Sequence, residues 1–184
     1  ALACPVFAAR RDSCGRRAGL WSVAVSLAAL AWAVRVWSGF DPYNPGLQFG
    51  ERAAWIPSLG VEYRLGIDGI SQVLILLAAA LFPLTMLNPA GVTRGVRGYM
   101  ACQLFLEGAV FGALCAQDLF LFYLFWELML LPLYLLIGVW GGKRKIYAAI
   151  KFVLYTMSGS LAMLGAMLYL AARHTSQYGA PAFG

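Results

Sequence analysis

Apolar residues in this chain run on for whole helical spans, where a soluble protein would interleave them with polar ones. Five such stretches, 18–39, 69–88, 98–116, 119–139 and 147–172, reach the roughly 17–25 residues that a helix needs to cross a bilayer. They predict an all-α fold, a polytopic membrane helix bundle of about five transmembrane helices in a single membrane domain over 1–184. The polar breaks between them set its orientation. Arg10, Arg11, Arg16 and Arg17 precede the first stretch, Arg94 and Arg97 follow the second, and Lys143, Arg144 and Lys145 follow the fourth. The other breaks carry Asp41, Glu51, Glu62 and Asp68 against Arg52 and Arg64, and then Asp118 alone. By the positive-inside rule the basic breaks face the cytoplasm, or the equivalent matrix or stromal side, and the acidic ones face outward. Arg173 and His174 at the end of the last stretch depart from this alternation only mildly.

Aromatic residues collect where the interfaces should lie. Trp32, Trp37, Tyr43 and Trp55 mark the outer boundary, and Tyr99, Trp140 and Tyr147 the inner one. The outer break 40–68 holds Pro42, Pro45, Gly46, Pro57 and Gly60 and is too polar to span. It is expected as an outer loop of short strands or turns, with the pattern leaving both open. Asp68 stands where that loop becomes a helix, the position of a capping carboxylate.

Composition narrows the class further. The 184 residues are 61% hydrophobic and only 12% charged, against about a quarter charged in soluble domains, and the mean hydropathy is +0.73. A soluble domain of this size would lack the polar surface to face water. Four scattered cysteines make no disulfide framework: Cys102 and Cys115 fall in one span, about 20 Å apart by helical rise. One histidine and the Cys4/Cys14 spacing build no metal site, so the cysteines read as small packing residues. The fourteen basic residues follow membrane topology and form no nucleic-acid patch. The chain opens on Ala1 without an initiator Met, and its apolar 1–9 precedes basic residues, the reverse of signal-peptide order. The expectation is the N-terminal part of a longer protein.

Two carboxylates are embedded in the apolar runs, Glu107 and Glu127. The Gln117-Asp118 break lies midway between them, so each sits about ten residues from the turn. At 1.5 Å per residue that is roughly 15 Å, the midplane of a ~30 Å hydrocarbon core. A charge there costs at least ~2.5 kcal/mol, so two at matched depth point to a proton or ion path. Beside Glu127, Pro132 cannot donate to the Leu128 carbonyl, which frees a backbone acceptor. Tyr123 and Tyr134 fall on roughly the same helical face as Glu127. Glu107 has Gln103 one turn before it, and Gly108 and Gly112 suit close helix packing. The bland alternative for both glutamates is an uncharged acid bonding between helices.

Lys151 enters the last stretch about one turn from its inner end. Snorkelling is the bland account; with Tyr155 and Ser158 at i+4 and i+7 it could instead line a water path toward Glu127. Lys143, Arg144 and Lys145 read as orienting charges, with anionic lipid or a peripheral subunit as secondary contacts.

The run Phe125-Trp126-Glu127-Leu128-Met129-Leu130-Leu131-Pro132-Leu133-Tyr134, continued by Leu135-Leu136-Ile137-Gly138-Val139-Trp140-Gly141-Gly142, resembles the M chain (subunit 4 type) of proton-pumping NADH:quinone oxidoreductase, complex I. Arg144 through Thr156, Gly66-Ile67-Asp68-Gly69-Ile70-Ser71 and Leu106-Glu107-Gly108 are also similar to that family, so the resemblance covers about 39–172. It implies an antiporter-like subunit that translocates protons while redox chemistry proceeds elsewhere. Glu127 matches the family's essential glutamate, Glu107 its second membrane carboxylate, and Lys151 a lysine on the following helix, beside Tyr155. The resemblance also implies L-, N- and K-type neighbouring chains as partners, with lipid and protons. FMN and iron–sulfur clusters would sit in other subunits, leaving this chain without a cofactor or a redox site. Its place would be the bacterial inner membrane or an equivalent energy-transducing membrane. The rival readings are a cation/proton antiporter or membrane-bound hydrogenase subunit, which would share Glu127, and a passive membrane scaffold.

Overall fold

Helix α1 is Ser13–Gly39, α2 Gly69–Leu87, α3 Val96–Cys115, α4 Leu119–Trp140 and α5 Lys145–Tyr178. The computed structural model describes residues 13–44, 46–56, 61–87, 92 and 95–178. Arg10, Arg11 and Arg94, three of the orienting charges, lie outside the described residues. All five helices are long and apolar enough to cross a membrane. Helix α1 begins five residues before the expected span, taking in Arg16 and Arg17. Helix α5, at 34 residues, also outruns its span; at 1.5 Å per residue it is about 51 Å long, so its end projects beyond a ~30 Å core.

Helices α2, α4 and α5 leave large apolar side chains uncovered. Leu84, Leu131, Leu154 and Leu170 are all more than half exposed, which a lipid-facing side chain tolerates and a water-facing one does not. What is buried is mostly small: Ser22, Ser26 and Ala33 on α1, Ala79 on α2, Ala109 and Ala113 on α3, Ala149 and Ser160 on α5. Small residues let membrane helices approach closely, where dispersion and interhelical hydrogen bonds hold them. Helices α1, α2 and α3 pack mutually, α4 packs on α3, and α5 packs on α4. Two helices carry an interior proline, Pro83 in α2 and Pro132 in α4, both buried.

Helices α3 and α4 pack side by side. A Cβ on Gly112 would sit 2.3 Å from Phe125 Cε1, so the phenyl ring occupies the space that any larger residue would need. At the inner end of this pair Gly95 takes φ +67° ahead of α3, and the Tyr99 and Trp140 rings meet edge to face at 5.6 Å. The Lys145 ammonium donates to the Val139 carbonyl at 2.6 Å, satisfying an end of α4 that has no later helical donor.

The outer loop is a β-hairpin. Strand β1 (Gln48–Ile56) pairs antiparallel with β2 (Val61–Ile67), placing Ala53 opposite Tyr63, and the Arg52 guanidinium bonds Glu62 across the strands. Strand β2 docks on the α3–α4 turn. Gln117 N donates to Arg64 O at 2.9 Å, Gln117 Nε2 donates to Gly66 O at 3.2 Å, and Leu65 bridges Ala116. Asp118, 1% exposed, lies beneath this contact. Its Oδ1 accepts from the Phe120 and Leu121 amides at 2.8 and 3.1 Å, and its Oδ2 from the Glu62 amide at 3.2 Å. The one charge expected to mark an open outer turn is thus an N-cap covered by the hairpin, its cost of burial offset by three amide donors. Asp68 caps α2 in the same manner, accepting from the Ser71 amide at 2.7 Å. That bond holds its carboxyl below the usual carboxylate range.

Candidate functional site: two carboxylates inside the bundle

Glu107 lies on the face of α3 turned toward α1 and is 3% exposed. Its Oε1 accepts a hydrogen bond of 2.8 Å from Ser26 Oγ, and Ser26 is itself fully buried. The small stripe of α1 allows this, since Ser22 and Ser26 follow one another at i, i+4 on the packed face. Ser22 spends its hydroxyl on the Ala18 carbonyl one turn back, leaving Ser26 to reach across. The expected neighbour Gln103 is not engaged with Glu107: its amide donates to the Tyr99 hydroxyl at 3.1 Å. Ser26 is a site residue that sequence reasoning missed. The serine pair within an apolar helix was its signal.

Glu127 projects from α4 on the side of α5 and is half-buried, with Oε1 fully enclosed and without a hydrogen-bond partner. Tyr123, one turn earlier on α4, is half-buried. Ser160 is 4% exposed, and its Oγ donates to Met157 O at 3.1 Å within its own helix. Tyr134, expected on the same face, is 42% exposed and points away. Ser160 too escaped the sequence reading. Among the described residues neither glutamate takes part in an ion pair.

The expectation that Lys151, Tyr155 and Ser158 face the helix of Glu127 does not hold. All three side chains lie on the exposed side of α5, with Tyr155 71% exposed. The Lys151 ammonium stacks over the Tyr147 and Tyr155 rings of its own helix, at 5.9 and 5.8 Å to the centroids. The i, i+4, i+7 spacing identified a shared face correctly but could not say which face packs. The packed face is the one with Ala149, Ser160 and Met167, set by the smallest residue at the contact and not by the polar line.

Sites and fold together invite comparison with known proteins. Residues 116–177 match the family model described as the NADH:quinone oxidoreductase/Mrp antiporter transmembrane region. The chain is 51% identical over 131 residues to NADH-quinone oxidoreductase subunit M of Rhodobacter capsulatus, covering 71% of this chain and 25% of that protein. It is 44% identical over 135 residues to an NAD(P)H-quinone oxidoreductase chain 4 of a Picosynechococcus species, covering 73% and 24%. Among solved structures, respiratory complex I from Thermus thermophilus with bound NADH superposes with a TM-score of 0.66 at 27% identity, over 88% of this chain and 37% of that one. The Mrp complex of a Dietzia species shares the fold, with a TM-score of 0.71 at 22% identity over 87% of this chain and 17% of that one. The chain spans about a quarter of the length of the curated relatives it matches. An integral membrane protein with carboxylates inside consecutive helices, the chain is similar over 71–73% of its length to subunit M and chain 4 proteins, and its residues 116–177 match the NADH:quinone oxidoreductase/Mrp antiporter transmembrane model.

Proposed function

We propose that this chain contributes to proton translocation in a membrane-bound NADH:quinone oxidoreductase, as a subunit of the M (chain 4) type in an energy-transducing membrane. In this reading Glu127 and Glu107 are the groups that carry protons, and the oxidoreductase chemistry, with its FMN and iron–sulfur clusters, belongs to other subunits. L-, N- and K-type chains are the proposed membrane neighbours. The observation that carries the reading is the pair of glutamates on adjacent packed helices, each with an oxygen sealed from solvent and no cation beside it among the described residues. A buried carboxyl without a cation is one that protonation can neutralise, which suits a group that must exchange a proton. Lys151 and Tyr155, on the outer side of α5, enter as a cationic site near the inner end of the helix and not as a link to Glu127.

The sequence likeness to subunit M favours the oxidoreductase over a free-standing antiporter. A passive scaffold is separated from both by one experiment. In the full-length protein assembled in its complex, Glu127→Gln keeps the size and hydrogen bonding of the side chain but cannot exchange a proton. Proton pumping measured in inverted vesicles should fall to a small fraction of wild type at equal assembly and equal NADH oxidation capacity. Wild-type pumping in the Gln variant would assign the glutamate to packing and end the proposal.

A further inference from the structure

Helix α2 turns one narrow face to its neighbours, made of Gln72, Ala79, Pro83 and Met86, and the helices packed on it are α1 and α3. Two polar groups on that face lack the partner that burial demands. Gln72 is 6% exposed, and its Nε2 is fully enclosed with no hydrogen-bond partner among the described residues. Proline has no N–H, so Pro83 leaves the carbonyl of Ala79, four residues before it, without its helical donor. Ala79 and Pro83 are both buried, so the freed acceptor lies on the packed face. The Gln117 Nε2 to Gly66 O bond ties the outer ends of α2 and α3 together, so depths along the two helices compare directly. At 1.5 Å per residue, Gln72 lies about 5 Å and Ala79 about 15 Å below the first residue of α2, and Glu107 about 12 Å below the last residue of α3. The Ala79 carbonyl and the Glu107 carboxyl thus share one level, and Gln72 stands between that level and the outer surface. One turn above Gln72, Asp68 is exposed. On the inner side of Glu107 the polar hydrogens are already committed. Ser22 donates to Ala18 O at 2.9 Å and Gln103 Nε2 to the Tyr99 hydroxyl at 3.1 Å, and below them the buried Met100 lies against Gly19.

We infer that Glu107 exchanges its proton with the outer side along the packed face of α2, where Gln72 and the Ala79 carbonyl hold the water that carries it. A buried N–H without a protein acceptor is one that water serves, and the freed carbonyl gives that water, or the acid itself, an acceptor beside Glu107. The step is a proton transfer alone. The O–H of the Glu107 acid breaks, an O–H forms on the adjoining water, and that water releases another proton outward. Ser26 keeps its bond to Oε1 in both states, which leaves Oε2 as the oxygen that gains and loses the proton. No charged side chain of α1 or α2 faces Glu107 among the described residues: α2 has none, and Arg17 and Arg35 of α1 are exposed. The inference rests on Glu107 being a proton carrier, as proposed above, and adds the side from which it is reached.

The test uses the full-length protein in its assembled complex, in membrane vesicles of either orientation without NADH. It follows the carboxylic C=O band of Glu107 by infrared difference spectroscopy, and Glu107→Gln assigns the band by removing it. A pH jump in the bath, made by photolysis of an impermeant caged acid, should change the band promptly in right-side-out vesicles. In inverted vesicles it should do so only after an uncoupler lets the lumen follow the bath. Gln72→Leu fills the same space without the amide. At equal assembly, its response to the outer bath and its NADH-driven pumping should both fall about tenfold, the factor one hydrogen bond is worth. Gln72→Asn, which keeps an amide one carbon shorter, should retain part of both. A prompt response in inverted vesicles, no Glu107→Gln-sensitive carboxylic band across the pH range of activity, or wild-type behaviour of Gln72→Leu would each overturn the inference. If pumping is lost in Glu127→Gln while these results fail, the proposed function stands and only the outer route falls; pumping that survives Glu127→Gln removes the function itself.

Discussion

Alanine at Gly108 and alanine at Gly112 should move the stability of this protein in opposite directions, although the two positions are one turn apart on α3. At both, alanine gains about 0.8–1.0 kcal/mol of helix propensity over glycine. At Gly108 no described atom lies within 4 Å of the added Cβ, so the gain stands alone. At Gly112 the added Cβ would meet Phe125 Cε1, Cδ1 and Cζ at 2.3, 2.4 and 2.6 Å. Carbon atoms rest at about 3.5–4.0 Å, so the ring must withdraw by more than about 1 Å from between two packed helices. Overpacking of that kind costs about 1–3 kcal/mol. Gly112→Ala should therefore be less stable than Gly108→Ala by about 1–3 kcal/mol, roughly a factor of 5 to 160 in the unfolding equilibrium. Unfolding of the purified full-length protein in mixed micelles, titrated with denaturing detergent, measures the difference. Phe125→Leu combined with Gly112→Ala should recover part of the loss, because the two residues share one contact. Equal stabilisation by both alanines would mean that the ring does not occupy the Gly112 notch, and the packing deduced for α3 and α4 would be wrong.

Three further outcomes follow from the same geometry. Ser26→Ala leaves Glu107 Oε1 buried without its donor and should lower the stability of the assembled protein by about 1–3 kcal/mol, while Ser26→Thr keeps most of it; thermal inactivation of the two variants side by side reads this out. Asp68 has a lowered carboxyl pKa in the folded state because it accepts the Ser71 amide, so its contribution is present above the unfolded value of about 3.9 and is lost as pH falls through the lower folded value. Amide exchange at Ser71 should accelerate below about pH 4 in the wild type, and Asp68→Asn should flatten that response; an unchanged profile in the variant would assign the acid effect to another group. Orientation is tested by cysteine labelling at Tyr43, 93% exposed at the hairpin end, and at Lys143 at the opposite end. An impermeant maleimide should mark Tyr43→Cys from the outer side and Lys143→Cys from the inner side, and the reverse pattern would invert the bundle. Asp118 is unsuited to this purpose because the hairpin seals it.

Long apolar runs made the helices plain in the sequence because a bilayer leaves the backbone few other ways to satisfy its polar groups. Strands β1 and β2 were harder to see. Strand β1 is exposed almost throughout and so shows no buried-face alternation, and the hairpin is held by main-chain bonds to Gln117 that no side-chain pattern announces. At the site, Glu107, Glu127 and Tyr123 stood out because charge and phenol are conspicuous in a lipid-facing helix. Ser26 and Ser160 did not, since a serine in such a helix commonly bonds back to its own carbonyls, as Ser22 does. Lys151 shows the limit of periodicity most clearly. Three polar residues on one stripe share a face wherever it points, and the direction was decided by Ala149 and Ser160 fitting against α4.

The way β2 sits on the α3–α4 turn also ties the direction in which that helix pair enters the membrane to the pair before it. The hairpin is strung between α1 and α2 and is made before α3 and α4 in the order of the chain. Arg64 O, Gly66 O and the Glu62 amide remain open until Gln117 and Asp118 reach the same side of the bilayer. If α3 and α4 entered upside down, the turn would emerge on the opposite surface, about 30 Å of hydrocarbon away, and none of those bonds could close. Arg97 at the start of α3 and Lys143, Arg144 and Lys145 after α4 point the pair the same way, since basic residues hold those ends on the inner side. The strand adds a second instruction: it favours the single insertion in which the outer surface can be stitched shut.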